Sequence, residues 1–539
     1  MSGERRTVSG IPLRPVYGPE DVPAAQRKAV ASHPGDAPFL RGAYPEMYRA
    51  RPWRIFQLSG YGNPEDENER IKFLLANGET GFILEHDRMT ADHLYDVDHP
   101  DVVARREDVG LTGAVMLHVR DSELALDGID LGASYAHAGG GVVQHAPFAN
   151  AAYWTVARRR GADLARLAGT GQSDYFLTYV GCFPKQQIPA RAGLRLNRDL
   201  IEFCATELPR WVPVSIAAYN GADSGLNAWQ ELGALFANAV EYLDLVRERG
   251  RLSVAAAARA VGGVSFRVSM ELFEDAAKLR AARKMWHDLV RDRYGVDDPQ
   301  ALRLRIHVVT AGSAMTYQQP LNNVVRGSLM ALAAVLGGVQ SLGVSGYDEA
   351  ISIPSEHAHQ MSVRIQQILQ NETNLTAVAD PLGGSYYVES LTAELERRGW
   401  EFFDQIQAQG GFVATLDSGW LHQRAIANQF EESRSIERAE RSVVGVNCFA
   451  ADVGAVAVEG FRGSENAYER ALERLAAVRR TRDARRARDA VRQLERICRD
   501  PDENVMPAML EALDADVTLG EVGAVFRDAF GSWDVPIRV

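Results

Sequence analysis

An aromatic hydroxyl, an amide and a carboxylate come together where a small apolar segment ends. In "SIAAYNGADSGL" (215–226), Tyr219, Asn220 and Asp223 follow the short run 215–218 within five positions. In a parallel barrel, the side chains at the C-terminal ends of the strands build the active site. These three residue types can donate or accept hydrogen bonds at such an end. We therefore take this point as the first candidate site.

Other polar side chains also follow short apolar runs. The candidates at these predicted strand ends are Thr170, Gln172, His307, Thr310, Gln340, Ser341, Ser345, Asp348 and Glu349. The runs themselves are rich in small residues such as Ala136, Gly169 and Ser215, whereas barrel interiors usually contain bulky aliphatic side chains. Two interpretations stay open: a hollow axis that admits a long, thin ligand, or a small-residue core filled by larger neighbours.

Short apolar runs alternate with helical stretches between about residues 80 and 390. Connecting segments such as 226–250 carry apolar residues at three- and four-residue spacing. Buried strands separated by helices predict a parallel sheet, and eight such units predict an α/β protein with a (β/α)8 TIM-barrel fold. A doubly wound open sheet is the alternative. The eight predicted strands are 80–86, 132–138, 166–172, 213–219, 263–269, 304–310, 339–345 and 376–380.

Composition divides the chain into three predicted regions. Residues 1–50 are rich in Pro, Arg and Gly and predict an extended N-terminal arm, residues 51–390 hold the barrel, and residues 391–539 form a C-terminal helical region. The arginine-dense segment 466–500 has interspersed acidic residues and apolar residues at helical spacing. We expect a solvated helix pair there rather than a nucleic-acid surface.

Charge and composition disfavour several classes of protein. The 539-residue chain has a net charge of −12 and a pI of about 5.6, unlike a general nucleic-acid-binding protein. Its four cysteines lack CxxC spacing, as is typical of free thiols in a reducing compartment. The N-terminus is polar and no uncharged apolar run reaches 18 residues, which predicts a cytoplasmic protein without a membrane span. His357 and His359 lack the spacing of helical zinc ligands, so no metal site is predicted.

Six blocks of sequence follow one another along the chain. They are "RGAYPEMYRARPWRIFQLSGYGNPEDENERIKFLL" (41–75), "YDVDHP" (95–100), "NNVVRGSLMALAAVLGGVQSL" (322–342), "YDEA" (347–350), "ADPLGGSYYVE" (379–389) and "VVGVN" (443–447). Together they resemble the large, substrate-binding chain of adenosylcobalamin-dependent acyl-CoA mutases. That family includes methylmalonyl-CoA, isobutyryl-CoA and 2-hydroxyisobutyryl-CoA mutases, and the similarity extends over about residues 40 to 535.

The resemblance implies a fold, a reaction and a partner. It implies a barrel threaded by the pantetheine arm of an acyl-CoA, and a radical rearrangement in which adenosylcobalamin carries the difficult chemistry. The DxHxxG sequence whose histidine ligates cobalt in this family does not occur in the chain. We therefore expect a separate small cobalamin-binding subunit that ligates the cobalt, in a heterodimer or heterotetramer, with the arm 1–50 wrapping that partner.

The resemblance also carries roles onto individual positions. It matches catalytic residues of the family to Tyr219, Asn220, Gln172, His307 and Tyr95. It matches substrate-binding residues to Thr170, Gln172 and Tyr61. It matches cofactor-binding residues to Glu349, Gly312, Asp223 and Ser345.

Several positions depart from the family pattern. Asn220 stands in place of a histidine and still donates a neutral hydrogen bond, but cannot become a cation. Val309 replaces an amide, and Gly343 and Ser345 replace a histidine and an asparagine near the cofactor. Segment 178–187 lacks a counterpart of the arginine that clamps the free carboxylate of methylmalonyl-CoA. A second carboxylate would be buried unpaired, so the departures predict a neutral acyl group.

Other interpretations stay open beside the neutral-acyl mutase. An arginine that helps to hold CoA is replaced within "ARAVGGVSF" (258–266), so the acyl group could instead be carried by an acyl-carrier protein. The departures also allow a degenerate family member that binds a thioester or a partner without catalysis.

Overall fold

The computed structural model describes residues 5–139, 141–181, 187–450, 461 and 463–533. It is a mixed α/β protein in which most strands are short and parallel. The strands are β1 (Arg5–Arg6), β2 (Pro12–Leu13), β3 (Arg54–Ile55), β4 (Phe82–Ile83), β5 (Tyr135–His137), β6 (Ala168–Thr170), β7 (Trp211–Val212), β8 (Ile216–Ala217), β9 (Gly263–Val268), β10 (Arg305–Thr310) and β11 (Ser341–Gly343).

Helices connect the strands and form the C-terminal part of the chain. They are α1 (Ala24–Val30), α2 (Pro64–Ala76), α3 (Arg88–Ala91), α4 (Pro100–Val103), α5 (Val119–Ala125), α6 (Ala146–Arg159), α7 (Ala190–Glu207), α8 (Ala218–Asp223), α9 (Ala228–Arg249), α10 (Val254–Val261), α11 (Leu272–Asp288), α12 (Asn322–Leu336), α13 (Glu356–Asn371), α14 (Tyr386–Ala408), α15 (Phe412–Asp417), α16 (Trp420–Glu437), α17 (Ala467–Thr481), α18 (Ala484–Arg499), α19 (Val505–Asp514) and α20 (Leu519–Phe530).

The parallel strands form two sheets that together surround one axis. One sheet has the order β3-β11-β10-β9-β8 and the other β4-β5-β6-β7. β7 pairs with β6 and β8 pairs with β9, so residues 211–217 form one interrupted strand that belongs to both sheets. On the opposite side, Thr80 donates its N–H to the Ile55 carbonyl (3.1 Å), but no ladder joins β3 to β4. The predicted α/β barrel architecture is confirmed, with its hydrogen-bonded wall incompletely closed.

One of the eight predicted strands was wrong. Segment 376–380 forms turns, and Asp380 there has a φ of +50° and accepts a hydrogen bond from Arg41 Nε (2.8 Å). Its carboxylate also pairs with the buried Arg280, so the segment is tied to the outside of the barrel by charge. The remaining barrel strand is β3, which has only two residues and begins with Arg54, so it gives no apolar run in the sequence.

Strand β10 illustrates how alternating side chains build a lined interior. Ile306, Val308 and Thr310 are buried towards the surrounding helices. Arg305 and His307, on the opposite face, are only partly buried and line the interior. This period of two follows from the strand geometry. One face of each barrel strand thus supports the helix layer, and the other is free to line a cavity.

The C-terminal helices α17–α20 share a hydrophobic core with one side of the barrel, including Phe82 of β4 and Trp211 of β7. Helix α19 packs on α6 and α18, and the arginine-dense stretch forms the predicted pair of helices, α17 and α18. Their arginines form ion pairs with acidic groups, including Arg474 with Asp121 (2.8 Å) and Arg482 with Glu521 (2.6 Å). The acidic residues interspersed in the sequence and its surroundings thus neutralise the basic segment.

The N-terminal segment lies against the barrel's own helices. Ser9 Oγ accepts a hydrogen bond from the N–H of Ala228 (3.1 Å), at the start of α9, and the Ser9 carbonyl accepts one from Trp229 Nε1 (3.1 Å). Gln26 donates to Glu389 on α14 (2.7 Å). Within the described ranges, no helix has the length and apolar character needed to cross a bilayer.

Candidate active site

A cavity of about 1090 Å³ extends along the barrel axis. Arg305, His307 and Val309, which alternate along β10, all line it. Four residues of strand span about 13 Å, so the cavity passes from the N-terminal ends of the strands to their C-terminal ends. We call these two ends the lower mouth and the upper mouth. Of the two interpretations left open by the sequence, the structure supports the hollow axis.

Small side chains keep the lower and middle parts of this cavity open. Ala168, Thr170, Ser265, Ser341 and Gly343 line it at positions where barrels usually carry Val, Ile or Leu. The neighbouring strands are in register there, with Ser265 and Ser341 each paired to His307. A slender, flexible chain can therefore pass between these strands.

The lower mouth is basic. Arg51, Arg54, Arg210 and Arg305 line the cavity at this end. The Arg54 guanidinium lies over the ring of Tyr135, 4.1 Å from its centroid, an arrangement that holds the cation in place while leaving its edge free for hydrogen bonds. Planar guanidinium groups bind phosphate oxygens well, so this end of the cavity is suited to a phosphate-bearing ligand.

Two neutral histidines occupy the middle of the cavity. His307 lies midway along β10, not at its end as the sequence suggested, because the strand continues to Thr310. Its Nδ1 lies 2.9 Å from Ser341 Oγ. Burial, reinforced by nearby His137, lowers the pKa of His307 to about 3, and burial lowers the pKa of His137 to about 4. At neutral pH both rings are uncharged hydrogen-bonding groups, not acids.

Tyr219, Thr170 and Gln172 also line the cavity. Tyr219 lies in the first turn of α8, directly after β8. Gln172 Nε2 is buried and has no hydrogen-bond partner among the residues that the structure describes. An amide donor without a partner beside a cavity is suited to a ligand carbonyl. The structure therefore brings together three of the residues that the resemblance matched to substrate or catalysis.

Glu85, Arg88 and Leu58 line the cavity but were missed in the sequence. Burial raises the pKa of Glu85 to about 7, opposed by Arg88 and assisted by Asp92. Arg88 Nε pairs with Asp92 (3.0 Å), whereas Leu58 adds an exposed apolar surface. The sequence signal that could have identified Glu85 is its position directly after the apolar run "TGFIL" (80–84), at a predicted strand end.

Glu349 and Gly312 meet at the upper mouth, where Asp223 lies nearby. A Cβ on Gly312 would lie 3.3 Å from Glu349 Oε1, so glycine leaves space beside the carboxyl group. Removal of water from around this group, followed by the charges of Asp348 and Asp223, raises the pKa of Glu349 to about 7. Asp223 accepts a hydrogen bond from Ser313 Oγ (2.9 Å) and lies 3.4 Å from Arg267 Nη1.

The upper mouth fits a cofactor that carries sugar hydroxyls. The Glu349 carboxyl group can donate or accept a hydrogen bond near neutral pH, and Gly312 provides room for close approach. Ser345, which lines the cavity, is held by two hydrogen bonds of 2.8 Å to Thr310. Glu349, Gly312, Asp223 and Ser345 therefore lie around one opening. No cluster of metal-ligating side chains occurs in the described part of the chain.

Three other candidate residues, Tyr61, Asn220 and Tyr95, lie in different surroundings. Tyr61 lines the cavity, with Arg70 over its ring (4.9 Å) and Phe461 at its edge (4.7 Å). Asn220 is buried and absent from the cavity lining, and its amide group donates to the Ala217 carbonyl (3.4 Å).

Tyr95 lies outside the cavity lining. It is buried and stacked on His99 with ring centroids 3.6 Å apart. Segment 178–187, in which the sequence shows no counterpart of the carboxylate-binding arginine, lies partly outside the described residues, since 182–186 are not among them.

Comparison with known proteins agrees with this architecture. The family model described as methylmalonyl-CoA mutase matches residues 6–532. The 2-hydroxyisobutanoyl-CoA mutase large subunit of Aquincola tertiaricarbonis is 34% identical over 532 residues, covering 98% of this chain and 92% of that protein. Methylmalonyl-CoA mutase of Cereibacter sphaeroides is 33% identical (97% and 72% covered), and the methylmalonyl-CoA mutase large subunit of Streptomyces virginiae is 31% identical (99% and 72%). The chain therefore belongs to the methylmalonyl-CoA mutase family of acyl-CoA isomerases.

Proposed function

We propose that this chain is the large, substrate-binding subunit of a two-subunit, coenzyme-B12-dependent mutase. Its substrate is a thioester whose acyl group is neutral, of the isobutyryl-CoA or 2-hydroxyisobutyryl-CoA type. The observation that carries the proposal is the open cavity with a basic lower mouth and a polar upper mouth. A thioester can enter at one end and meet a cofactor at the other.

The lower mouth supports coenzyme A as the carrier. Four arginines line that end, and the pantetheine arm is long and thin enough for the small-residue passage above it. Bidentate guanidinium–phosphate contacts are strong and directional. A phosphopantetheine on an acyl-carrier protein would bring one phosphate to the same arginines, so it is the alternative that the experiment includes.

The upper half of the cavity supports a neutral acyl group. Leu58 and Val309 are apolar, Arg88 is paired with Asp92, and Glu85 contributes an acidic group. A free carboxylate would be repelled by ionised Glu85 and would find Arg88 already paired. The relatives are named for both hydroxyacyl and methylmalonyl substrates, so the cavity itself carries this part of the proposal.

The chain's own residues hold and shield the reacting groups. Gln172 Nε2 is suited to donate to the thioester carbonyl, and neutral His307 supplies a further polar contact lower in the cavity. Glu349, with Gly312 beside it, is suited to hold the sugar hydroxyls of the cofactor. When bound, adenosylcobalamin supplies the radical chemistry that exchanges a hydrogen atom and the thioester group between neighbouring carbons. Enclosure by the barrel excludes water from that chemistry.

The partner is a small cobalamin-binding subunit that supplies the cobalt ligand and covers the upper mouth. Relatives of this chain are named large subunits, which implies a smaller companion for those proteins. Residues 5–13 lie near the start of α9, on the upper side of the barrel. The N-terminal arm is thus positioned to contact a subunit seated on that side. We place the assembled enzyme in the cytoplasm.

A non-catalytic role is the second candidate, favoured by the position of Asn220, whose amide group faces its own helix. One experiment separates the two. The chain is purified with a DxHxxG-containing small subunit and adenosylcobalamin, and neutral acyl-CoA, methylmalonyl-CoA and acyl-carrier thioesters are assayed for rearranged products. Isomerisation of a neutral acyl-CoA that requires both chains supports the proposal. Thioester binding without turnover of any substrate would instead support the non-catalytic role.

A further inference from the structure

We infer that Glu85 selects an acyl group that carries a hydroxyl, and that the preferred substrates of this chain are hydroxyacyl thioesters. The inference rests on the proposed function, because it assumes that the acyl group occupies the upper half of the cavity. It goes further by distinguishing a hydroxylated acyl group from a purely aliphatic one.

Glu85 lies at the height where the acyl group is expected. Ile83, His137 and Thr170 are in register across β4, β5 and β6. Glu85 lies two residues after Ile83, and Gln172 lies two residues after Thr170. Both therefore face the axis about 7 Å nearer the upper mouth than Ile83 and Thr170 do. If Gln172 holds the thioester carbonyl, the Glu85 carboxyl group faces the acyl carbons that adjoin it.

The Glu85 carboxyl group has no partner within the described ranges. Its backbone is anchored, with its N–H donating to Glu67 Oε1 (3.3 Å) and its carbonyl accepting from Ala114 (2.8 Å). The side-chain oxygens take part in no hydrogen bond or ion pair with described residues, yet the side chain is partly buried and lines the cavity. A carboxyl group held away from bulk water without a partner is costly. A ligand donor would remove that cost.

The surroundings favour a hydroxyl over the other possible donors. Gly60 gives Glu85 its space, because a Cβ there would lie 2.6 Å from Glu85 Cβ. Leu58, two residues before Gly60 in the segment that follows β3, offers an apolar surface for methyl groups. Arg88 adds positive charge near Glu85, which disfavours an ammonium group in the ligand. A small acyl group with methyl groups and one hydroxyl can place its methyl groups against Leu58 and donate a hydrogen bond from its hydroxyl to Glu85.

A matched set of thioesters tests the inference. 2-Hydroxyisobutyryl-CoA, isobutyryl-CoA and pivaloyl-CoA differ at one position, which carries a hydroxyl, a hydrogen or a methyl group. Their dissociation constants are measured for the full chain, and their kcat/KM values for the complex with the small subunit and adenosylcobalamin. We expect the hydroxyl to improve binding at least about tenfold over the methyl, as a hydrogen bond to a charged group does. Glu85→Gln should reduce this preference, and Glu85→Leu should reverse it.

Glu274→Gln is the matched control. Glu274 is also buried, with a pKa raised to about 7 mainly by burial, but it lies on α11 outside the cavity lining. This variant should keep the wild-type preference. Equal affinity for the three thioesters, or a preference unchanged in Glu85→Leu, would overturn the inference while leaving the mutase assignment intact. Failure of all three thioesters to bind or react would instead overturn the proposed function.

Discussion

The Asp174 carboxylate accepts a hydrogen bond from the backbone N–H of Ala217, with an Oδ2–N distance of 2.7 Å. Ala217 ends β8, and the next residue begins the helix that carries Tyr219. Asp174 is completely buried, and burial raises its pKa to about 7. One carboxyl group thus fixes the point where a barrel strand changes direction into the candidate active site.

Replacement of Asp174 by alanine should displace Tyr219. Loss of the acceptor leaves the Ala217 N–H buried without a partner, which costs about 1–3 kcal/mol. We expect kcat for the preferred thioester to fall more than tenfold, with a lower melting temperature. Asp174→Asn keeps an oxygen acceptor and should retain most activity. Equal loss of activity in both variants would show that charge at Asp174, and not the position of Tyr219, matters.

The basic lower mouth predicts that a substitution there weakens substrate binding and leaves the rate of turnover nearly unchanged. Arg54→Gln removes a guanidinium that lies over Tyr135, far along the axis from the upper mouth. We expect KM for acyl-CoA to rise about tenfold with little change in kcat, because the lost contact is to the carrier and not to the reacting carbons.

An exposed arginine provides the control for this change. Arg485 has a side chain that is 88% exposed and lies on α18. Arg485→Gln should leave both constants unchanged. If Arg54→Gln raised KM equally for CoA thioesters and for pantetheine thioesters that lack the nucleotide, the arginine would not be binding the nucleotide phosphates.

An obstruction in the passage should abolish binding without unfolding the barrel. Ala168 lines the lower part of the cavity, and a phenylalanine there would project into open space. We expect Ala168→Phe to lose measurable thioester binding, by calorimetry, while its melting temperature stays within a few degrees of the wild type. Ala168→Ser adds one small atom and should bind normally. Unimpaired binding in Ala168→Phe would mean that the thioester does not thread the axis.

At the upper mouth, Glu349→Gln tests the cofactor contact. The glutamate lies beside the space that Gly312 leaves, so loss of its charge should weaken adenosylcobalamin retention by the two-subunit complex about tenfold. Acyl-CoA binding to the large chain alone should be unchanged. The concentration of cofactor needed for half-maximal activity measures the effect. A change confined to acyl-CoA binding would assign Glu349 to the substrate instead.

Much of the barrel was predictable because the strand face that packs against the helices leaves an apolar pattern. Strands such as β9 and β10 carry buried apolar residues at alternate positions and were predicted correctly. Strand β3 was missed, since a strand of two residues that begins with Arg54 carries no apolar period. Segment 376–380 resembled a strand although its aspartate is tied to Arg280. The hollow interior was open to two interpretations, because composition cannot show whether neighbours fill the gaps left by small residues.

The candidate site was predictable where position along a strand decides it. Thr170, Gln172 and Tyr219 line the cavity, as strand ends should. Asn220 does not, because the helical turn of α8 directs its amide group to Ala217. Glu85 was missed because a single carboxylate after an apolar run has no motif, and its significance depends on burial that only the fold creates.

The pKa of Glu85 makes two consequences of pH measurable. Glu85 titrates near pH 7 in the folded chain and near 4.5 when unfolded, so folding retains a proton between these values. Stability therefore falls as pH rises from about 4.5 to 7, by up to about 3 kcal/mol. Glu85→Gln should lack that part of the dependence, which is measured as the difference between the two proteins' unfolding curves. The groups that face Glu85 are Arg88, Asp92 and Glu67, and they are present in both proteins.

Ionisation of Glu85 should also sharpen substrate selection. A carboxylate accepts a hydrogen bond from a hydroxyl more strongly than a neutral acid does, so the ratio of affinities for 2-hydroxyisobutyryl-CoA and pivaloyl-CoA should increase as pH rises through about 7. The same ratio should be independent of pH in Glu85→Gln. Because both thioesters carry the same CoA, titration of the carrier's phosphates cancels in the ratio. A preference that falls with rising pH would mean that Glu85 donates a proton to the ligand, and the acyl group would then carry an acceptor instead of a hydroxyl donor.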